Sequence, residues 1–190
     1  MNVLIPIKPS SEGKTRLSSV LNESQRADLI EAMFRHVLDV TVDVFGANHC
    51  YVVTRCDHFS RIAGLYSAQT VHDFGSCLNS ALRYASRFIN DKEPILVINA
   101  DLPMLKKEDL HALIRALDHA DVAIATDRHK TGTNSLLLKK PHLIDFSFGE
   151  NSLQKHCHTA KNLNLKINIL ERIGLSNDLD SPKDLFSLMI

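Results

Sequence analysis

The sequence has no excess of charge of either sign. Its 22 lysine and arginine residues are balanced by 22 aspartate and glutamate residues. A chain without net charge creates no overall field that would attract nucleic acid or an anionic membrane, so any phosphate group must be bound locally. We therefore expect neither nucleic acid nor a membrane among the partners of this protein.

Long apolar runs are also missing. No stretch approaches the run of about 20 apolar residues that spans a membrane. The N-terminus meets its first charged side chain at Lys8, which is too early for the apolar region of a secretory signal. The sequence therefore predicts a cytoplasmic protein.

Cysteines are few and lack the spacing of a structural site. The four of them form no C-x-x-C pair, which argues against a disulfide framework and a structural zinc site. Among ten histidines, only the triplet 156–158 places two close together around a cysteine. On a helix, His156 and His158 would point about 200° apart, and on a strand they would lack further ligands nearby. We therefore do not assign a metal to this triplet.

Helical and strand-like apolar patterns alternate along the chain. The predicted helices span residues 24–44, 77–88 and 107–120, and the predicted strands span residues 3–7, 50–54, 95–98, 122–125 and 135–138. Continuous apolar runs such as these strands are typical of parallel strands that are covered on both faces. The alternation predicts an α/β three-layer sandwich with a mostly parallel central sheet.

The 190 residues contain no repeat and no linker, so we expect one domain over residues 1–190. Residues 140–158 have weaker periodicity, and we expect them to form a lid or arm over the site instead of sheet core. Ser181 and Pro182 are typical of a helix start. The final helix is predicted to carry Leu185, Leu188 and Met189.

A cationic loop follows the first predicted strand. It contains Lys8, Lys14 and Arg16, and its backbone N–H groups over residues 10–13 are further donors. Ligands usually bind at the open ends of strands in an α/β sheet, so this loop suits the phosphates of a nucleoside triphosphate, although a solvated basic loop is the alternative. It is not a Walker A loop, because that motif needs glycine where this chain has Lys8.

Acidic residues stand at two positions that suit a metal ion. Asp101 follows the strand 95–98 directly, and a carboxylate facing a phosphate loop is the arrangement that holds Mg²⁺ on a nucleotide. Asp178 and Asp180 point the same way if their segment is extended, so one of them could complete the site. The alternative for all three is an ordinary role in turns and helix caps.

Three further polar loops lie next to predicted strands. Glycines let a backbone approach a ligand, and uncharged polar side chains orient ribose, base or carboxylate groups. Each loop alone is no more than a generic turn. The candidate residues in these loops are Asp73, Gly75, Asn79, Thr133, Gly149 and Ser152.

Taken in order, these motifs resemble the phospho-hydroxyacid guanylyltransferases, which activate 2-phospho-L-lactate or phosphoenolpyruvate for assembly of the deazaflavin coenzyme called factor 420. The similarity covers nearly the whole chain. It rests on residues 4–8 with 14–17, Leu78-Asn79, Ala100-Asp101-Leu102-Pro103, Asp127-Arg128 with Gly132-Thr133-Asn134, Phe148-Gly149 with Ser152, and Asp178-Leu179-Asp180-Ser181-Pro182.

The resemblance implies a Rossmann-like, nucleotide-diphospho-sugar-transferase-like fold similar to that of the molybdenum-cofactor guanylyltransferases, and transfer of GMP from GTP with Mg²⁺. It implies that Lys14, Arg16 and Lys8 hold the triphosphate, that Asp101 with Asp178 or Asp180 holds Mg²⁺, and that residues 73–79 bind guanine and ribose. Thr133, Gly149 and Ser152 match positions that contact the phospho-acid in the family.

Several points stay open at the level of sequence. The acceptor is 2-phospho-L-lactate, phosphoenolpyruvate or 3-phospho-D-glycerate, which a pocket separates by only about 1–3 kcal/mol per small group. A homodimer and transfer of the product to a downstream transferase are further expectations. The alternatives are another nucleotide, an acceptor such as a sugar phosphate or molybdopterin, and a nucleotide-binding domain without catalysis.

Overall fold

Seven strands form one sheet in the computed structural model, which describes residues 1–90 and 92–187. The strands are β1 (Asn2–Pro6), β2 (Cys50–Thr54), β3 (Gln69–His72), β4 (Ile95–Ile98), β5 (Val122–Thr126), β6 (Thr133–Leu138) and β7 (Ile167–Leu170). Their order across the sheet is β3-β2-β1-β4-β6-β5-β7. This arrangement confirms the predicted α/β class with a mostly parallel sheet.

Strand β6 is the one strand of this sheet that runs against its neighbours. It pairs antiparallel with β4 and β5, whereas β1 to β4 pair in parallel and β7 is parallel to β5. The register places Ile98 opposite Ser135 and Thr126 opposite Thr133. The first residues of β6 therefore lie at the same edge as the carboxyl ends of the other strands.

Seven α-helices flank the sheet in the described part of the chain. They are α1 (Glu23–Phe45), α2 (Asp57–Leu65), α3 (Leu78–Ala85), α4 (Lys107–Ala116), α5 (Ser152–Asn162), α6 (Ile173–Ser176) and α7 (Pro182–Ser187). The longest, α1, begins with a capping box between Asn22 and Gln25 and ends at Gly46, whose φ of 83° suits glycine. Over residues 1–90 and 92–187, we find no helix with the length and apolarity needed to span a bilayer.

Two hydrophobic cores lie on opposite faces of the sheet. Val3 and Ile5 pack with Phe34 of α1 in one core, while Leu4, between them in sequence, packs with Leu82 of α3 in the other. Successive side chains of a strand point to opposite faces, so a central strand covered on both sides must be apolar throughout. This explains the continuous apolar runs in the sequence and gives the three layers that they predict.

The predicted elements agree closely with the structure in most places. The helix predicted over 107–120 ends earlier, at Ala116, because the chain continues in tight turns there. Helix α3 is followed by a 3₁₀ turn over Ser86–Phe88. The pattern analysis missed α2, β3, α5, β7 and α6. Two residues of the predicted final helix, Leu188 and Met189, lie outside the described residues.

The prediction of a lid over residues 140–158 is wrong. Ile144, Phe146 and Phe148 are buried in the second core, and α5 packs on β5 and β7. The aromatic side chains gain more from burial against the sheet than they would in a solvated arm. The segment is therefore part of the layer that covers one face of the sheet.

Candidate active site

A cavity of about 380 Å³ opens at the carboxyl ends of β1 and β4. Parallel strands direct their following loops to this edge, which is where α/β proteins bind ligands. The charged residues that line the cavity are Lys8, Lys14, Asp73, Asp101 and Asp180. The cavity therefore collects five of the residues that the sequence predicts for the site.

The loop after β1 carries Lys14 into the cavity. Two short 3₁₀ turns, Ser10–Glu12 and Thr15–Ser19, flank a Lys14 backbone with a φ of 52°. This left-handed conformation is uncommon for a residue with a side chain. The Lys14 Nζ lies 2.5 Å from a carboxylate oxygen of Asp101 and 2.6 Å from one of Asp180.

These contacts determine the charge state of Lys14. Burial by itself lowers the pKa of the ammonium group, but the Asp101 and Asp180 carboxylates outweigh burial and the pKa is raised above its ordinary value. Lys14 is therefore positively charged at neutral pH and acts as an internal cation between two acids.

Three carboxylates converge beside Lys14. Asp101, Asp178 and Asp180 each offer an oxygen within 4.8 Å of the others. Asp101 Oδ1 is buried and has no hydrogen-bond partner within residues 1–90 and 92–187. A buried carboxylate oxygen without a partner costs free energy unless a ligand takes it, and oxygen atoms from carboxylates are the ligands that Mg²⁺ prefers. The donor set fits a divalent cation.

The surroundings of Asp178 disfavour the charged form of its carboxyl group. Burial raises its pKa above the ordinary value, the Asp101 and Asp180 charges add to the rise, and a hydrogen bond from Asn134 opposes it. The amide nitrogen of Asn134 lies 3.0 Å from Asp178 Oδ1. Asn134, at the buried start of β6, therefore orients the Asp178 carboxylate through this hydrogen bond.

The other residues predicted for the phosphates and the nucleotide occupy different positions. Lys8 is exposed at the cavity wall, while Arg16 is exposed and does not line the cavity. The Asp73 carboxylate lines the cavity and accepts a hydrogen bond from the Gly75 amide. A Cβ at Gly75 would lie 2.6 Å from the Ala81 backbone nitrogen, so glycine is required for this loop to approach α3.

Asn79 connects α3 to the segment before α5. Its side-chain oxygen accepts a hydrogen bond of 2.8 Å from the Phe148 amide, and its nitrogen donates one of 3.0 Å to the Phe148 carbonyl. The Asn79 side chain thus bonds both the backbone N–H and the backbone carbonyl of Phe148. One amide hydrogen of Asn79 is left for a further partner.

The residues predicted for the acceptor are not part of the cavity lining. Thr133 and Ser152 are only 4% and 2% exposed, and Gly149 sits on the surface with a φ of 115°. None of the three lines the cavity. Thr133 is hydrogen-bonded to His156 of α5, and Ser152 is the first residue of that helix. The hydrogen bonds of Lys14 and Asp101 within the described residues involve neither Thr133 nor Ser152.

Sequence reasoning did not find His156, the residue that links Thr133 to the segment before α5. Its Nε2 accepts a hydrogen bond of 2.9 Å from the Ser147 amide, so the neutral ring carries its proton on Nδ1 and donates to Thr133 Oγ1 at 3.0 Å. Burial, with a smaller effect of Lys155, lowers its pKa to about 4. The only sequence signal was its place in a histidine triplet, which does not distinguish a buried anchor from a surface residue.

Solved structures with a similar fold include a protein named as a nucleotidyl transferase. The chain matches a nucleotidyl transferase from Methanothermobacter with a TM-score of 0.67 and 18% identity, over 98% of this chain and 94% of that one. It matches the molybdopterin-guanine dinucleotide biosynthesis protein A of Archaeoglobus fulgidus with a TM-score of 0.51 and 14% identity, over 98% and 96%. The fold is therefore that of the nucleotidyltransferases.

Sequence relatives narrow this class. The family of CofC-like guanylyl transferases matches residues 1–190. The 2-phospho-L-lactate guanylyltransferase of Methanocaldococcus vulcanius is 35% identical over all of this chain and 84% of its own length. The phosphoenolpyruvate guanylyltransferase of Rubrobacter xylanophilus is 32% identical over 97% of this chain and 91% of its own length. The chain belongs to the CofC-like guanylyl transferase family and is a nucleotidyltransferase enzyme.

Proposed function

We propose that this enzyme transfers GMP from GTP to the phosphate of a small phospho-hydroxyacid and releases pyrophosphate, as a step in the biosynthesis of coenzyme factor 420. Relatives that span the whole chain are named for this transfer with 2-phospho-L-lactate or phosphoenolpyruvate. Residues 1–190 would act as one nucleotidyltransferase domain.

The observation that carries this proposal is the acidic cluster beside a cationic loop in one cavity. Asp101, Asp178 and Asp180 would hold Mg²⁺, which neutralises charge on the phosphates during transfer. The unpartnered, buried oxygen of Asp101 supports this assignment. Two of these carboxylates, those of Asp101 and Asp180, already attract a cation, the Lys14 ammonium group. This contact also supports the assignment.

The chain's own residues would bind and orient the two substrates. Lys14, with Lys8 and Arg16 nearer the surface, would hold the triphosphate, and such fixed charges are the main contribution that a protein makes to phosphoryl transfer. Lys14 would exchange its carboxylate partners for phosphate oxygens when nucleotide and metal bind. We further propose that Asp73, Gly75 and Asn79 bind the nucleoside.

The acceptor would approach from the side of Thr133, Gly149 and Ser152. A phosphate oxygen of the acid attacks the α-phosphorus of GTP, a new P–O bond forms, and the bond to the β-phosphate breaks so that pyrophosphate leaves with its electron pair. This step requires no nucleophile from the protein. The two relatives are named for different acids, so 2-phospho-L-lactate, phosphoenolpyruvate and 3-phospho-D-glycerate all belong in the test.

The proposal extends to the setting of the enzyme. The four cysteines are free thiols, which fits the reducing conditions of the cytoplasm. Transfer of the product to a downstream transferase follows from the proposed pathway, and a homodimer is a separate part of the same hypothesis.

The test is pyrophosphate release with Mg²⁺ for every pairing of GTP, ATP, CTP and UTP with the three acids, with the products identified by mass. We expect turnover with GTP and one preferred acid. Turnover with another nucleotide would redefine the donor. No turnover in any pairing, by a protein that binds GTP, would favour another acceptor such as a sugar phosphate or molybdopterin, or a domain that binds nucleotide without catalysis.

A further inference from the structure

The segment that carries two of the three acids lies outside regular secondary structure, so tertiary contacts must hold it in place. Asp178 and Asp180 lie in the connection between α6 and α7, outside regular structure. The Leu179 amide donates to the Asp101 carbonyl at 3.2 Å, which ties this segment to the third acid. A short connection of this kind needs further restraint if its carboxylates are to keep one geometry.

Asp184 supplies that restraint from the first turn of α7. Its Oδ2 accepts hydrogen bonds from the backbone N–H groups of Asp180 at 3.0 Å and Ser181 at 2.8 Å. Its side chain is only 6% exposed. The carboxylate therefore fixes the backbone at Asp180, one of the three acids of the cluster, without joining the cluster itself.

Arg128 holds Asp184 from another part of the fold. Its guanidinium group forms an ion pair with the Asp184 carboxylate, and its backbone N–H donates to the Ser176 carbonyl at 2.9 Å. Arg128 lies in the turn between β5 and β6. It thus connects the sheet to both ends of the connection that contains Asp178 and Asp180.

We infer that Arg128 and Asp184 are positioning residues for the metal-binding acids. A buried carboxylate that loses its cation becomes an uncompensated charge, and the structure around it rearranges. That rearrangement weakens the two backbone hydrogen bonds that fix Asp180. The inference rests on the proposed function, because it presupposes that the acids bind a divalent cation.

The fold contains a second ion pair of the same design that serves as a control. Asp109 accepts a hydrogen bond from the Lys106 amide at the start of α4, and Arg172 donates to Asp109 at 2.7 Å. The Asp109 side chain is 8% exposed, close to the value for Asp184. Neither residue of this pair lines the cavity. Loss of Arg172 should therefore reproduce the general cost of leaving a buried capping carboxylate unpaired.

The experiment compares the full-length variants Arg128→Met and Arg172→Met by Mn²⁺ titration, with free Mn²⁺ followed by electron paramagnetic resonance and no substrates present. Thermal denaturation measures stability in parallel. We expect both variants to melt at lower temperature, but only Arg128→Met to bind Mn²⁺ about tenfold more weakly. Arg128→Lys should restore part of that affinity, because it returns a cation to Asp184.

The other outcomes separate the inference from the proposed function. Equal Mn²⁺ affinity in the wild type and Arg128→Met would overturn it and leave the proposed function intact. Equal losses in both variants would reduce the pair to a stability role. If the wild type turns over with Mg²⁺ but does not bind Mn²⁺, these acids are not the metal site and the inference fails. If the wild type binds Mn²⁺ but shows no turnover, the result counts against the proposed function alone. If Arg128→Met does not fold, Asp184→Asn is compared with Asp109→Asn.

Discussion

The two sides of the candidate site differ in how their predicted residues are used. On the charged side, Lys14, Asp101 and Asp180 meet within hydrogen-bonding distance. On the side proposed for the acceptor, Thr133 and Ser152 are buried, and the Thr133 hydroxyl is hydrogen-bonded to the His156 ring. A charge is costly to bury without a partner, whereas a hydroxyl is easily satisfied inside the protein. Charged motifs therefore point to a site more directly than hydroxyl motifs do.

The largest effect should come from the charged side. We expect Asp101→Asn to lower Mg²⁺-dependent turnover by about three orders of magnitude, because a bound cation contributes several kcal/mol to stabilising the charge in the transition state. The measurement is the rate of pyrophosphate release at saturating GTP and acid. The control is Asp118→Asn, which changes an exposed acid in the connection between α4 and β5. Near-normal rates in Asp101→Asn with a native circular dichroism spectrum would remove Asp101 from the site.

The next effect tests the buried side through its pH dependence. His156 has a pKa of about 4 in the folded protein against an ordinary value of 6.5. The unfolded chain therefore binds more protons in this interval, and stability falls as the pH drops from 6.5 towards 4, by about 3 kcal/mol in all. We expect urea denaturation of His156→Gln to lack most of this dependence while the variant is less stable at pH 7. An unchanged profile would mean that other groups cause the acid sensitivity.

A third prediction concerns the internal cation. If Lys14 and a divalent ion compete for Asp101 and Asp180, then Lys14→Met should bind Mn²⁺ more tightly, by about tenfold or 1.4 kcal/mol, although it loses turnover. Lys8→Met is the control, since Lys8 lines the same cavity but forms no ion pair within the part of the chain that the structure describes. Mn²⁺ affinity can be measured by calorimetry. Weaker binding in Lys14→Met would indicate that Lys14 supports the acids.

The smallest effect should come from a single hydroxyl on the buried side. Ser152 is buried and does not line the cavity, so this prediction applies if the acceptor reaches it as proposed. In that case we expect Ser152→Ala to raise the KM for the phospho-acid several-fold, in line with about 1 kcal/mol for one hydrogen bond, and to leave the KM for GTP unchanged. Steady-state kinetics with each substrate varied in turn provide the measurement. Equal changes in both constants would assign Ser152 to the support of α5 instead of the acceptor.

The fold could be predicted from the sequence because its central strands are apolar on both faces. Runs such as residues 95–98 have no other stable place than a covered sheet. The edge strand β3 was missed because three of its four residues are exposed, which leaves no apolar pattern. The segment with Phe146 and Phe148 was misjudged for a different reason, since irregular backbone can bury aromatic side chains without any periodicity.

Some residues of the candidate site could likewise be predicted from the sequence, and others could not. Asp101 could be predicted because it follows a central strand, and the structure brings it together with Asp178 and Asp180. Residues that act through others, such as His156 and Asp184, could not be predicted, because their partners are distant in sequence and a buried acid or histidine has no local pattern. Their roles depend on tertiary contacts alone.

Because β6 runs antiparallel to β5, the turn over residues 127–132 is a short connection between two paired strands and could be replaced as a unit. Both anchors of this turn, Thr126 and Thr133, are paired with each other at the edge of the sheet that faces the site. Asp127 closes the turn by accepting hydrogen bonds from the Thr131 and Gly132 amides. If the acceptor binds beside Thr133 as proposed, a turn of different length would change its surroundings without altering strand order, provided that it keeps an arginine in reach of Asp184. Variation of this turn would then change acceptor choice while leaving the rest of the sheet untouched.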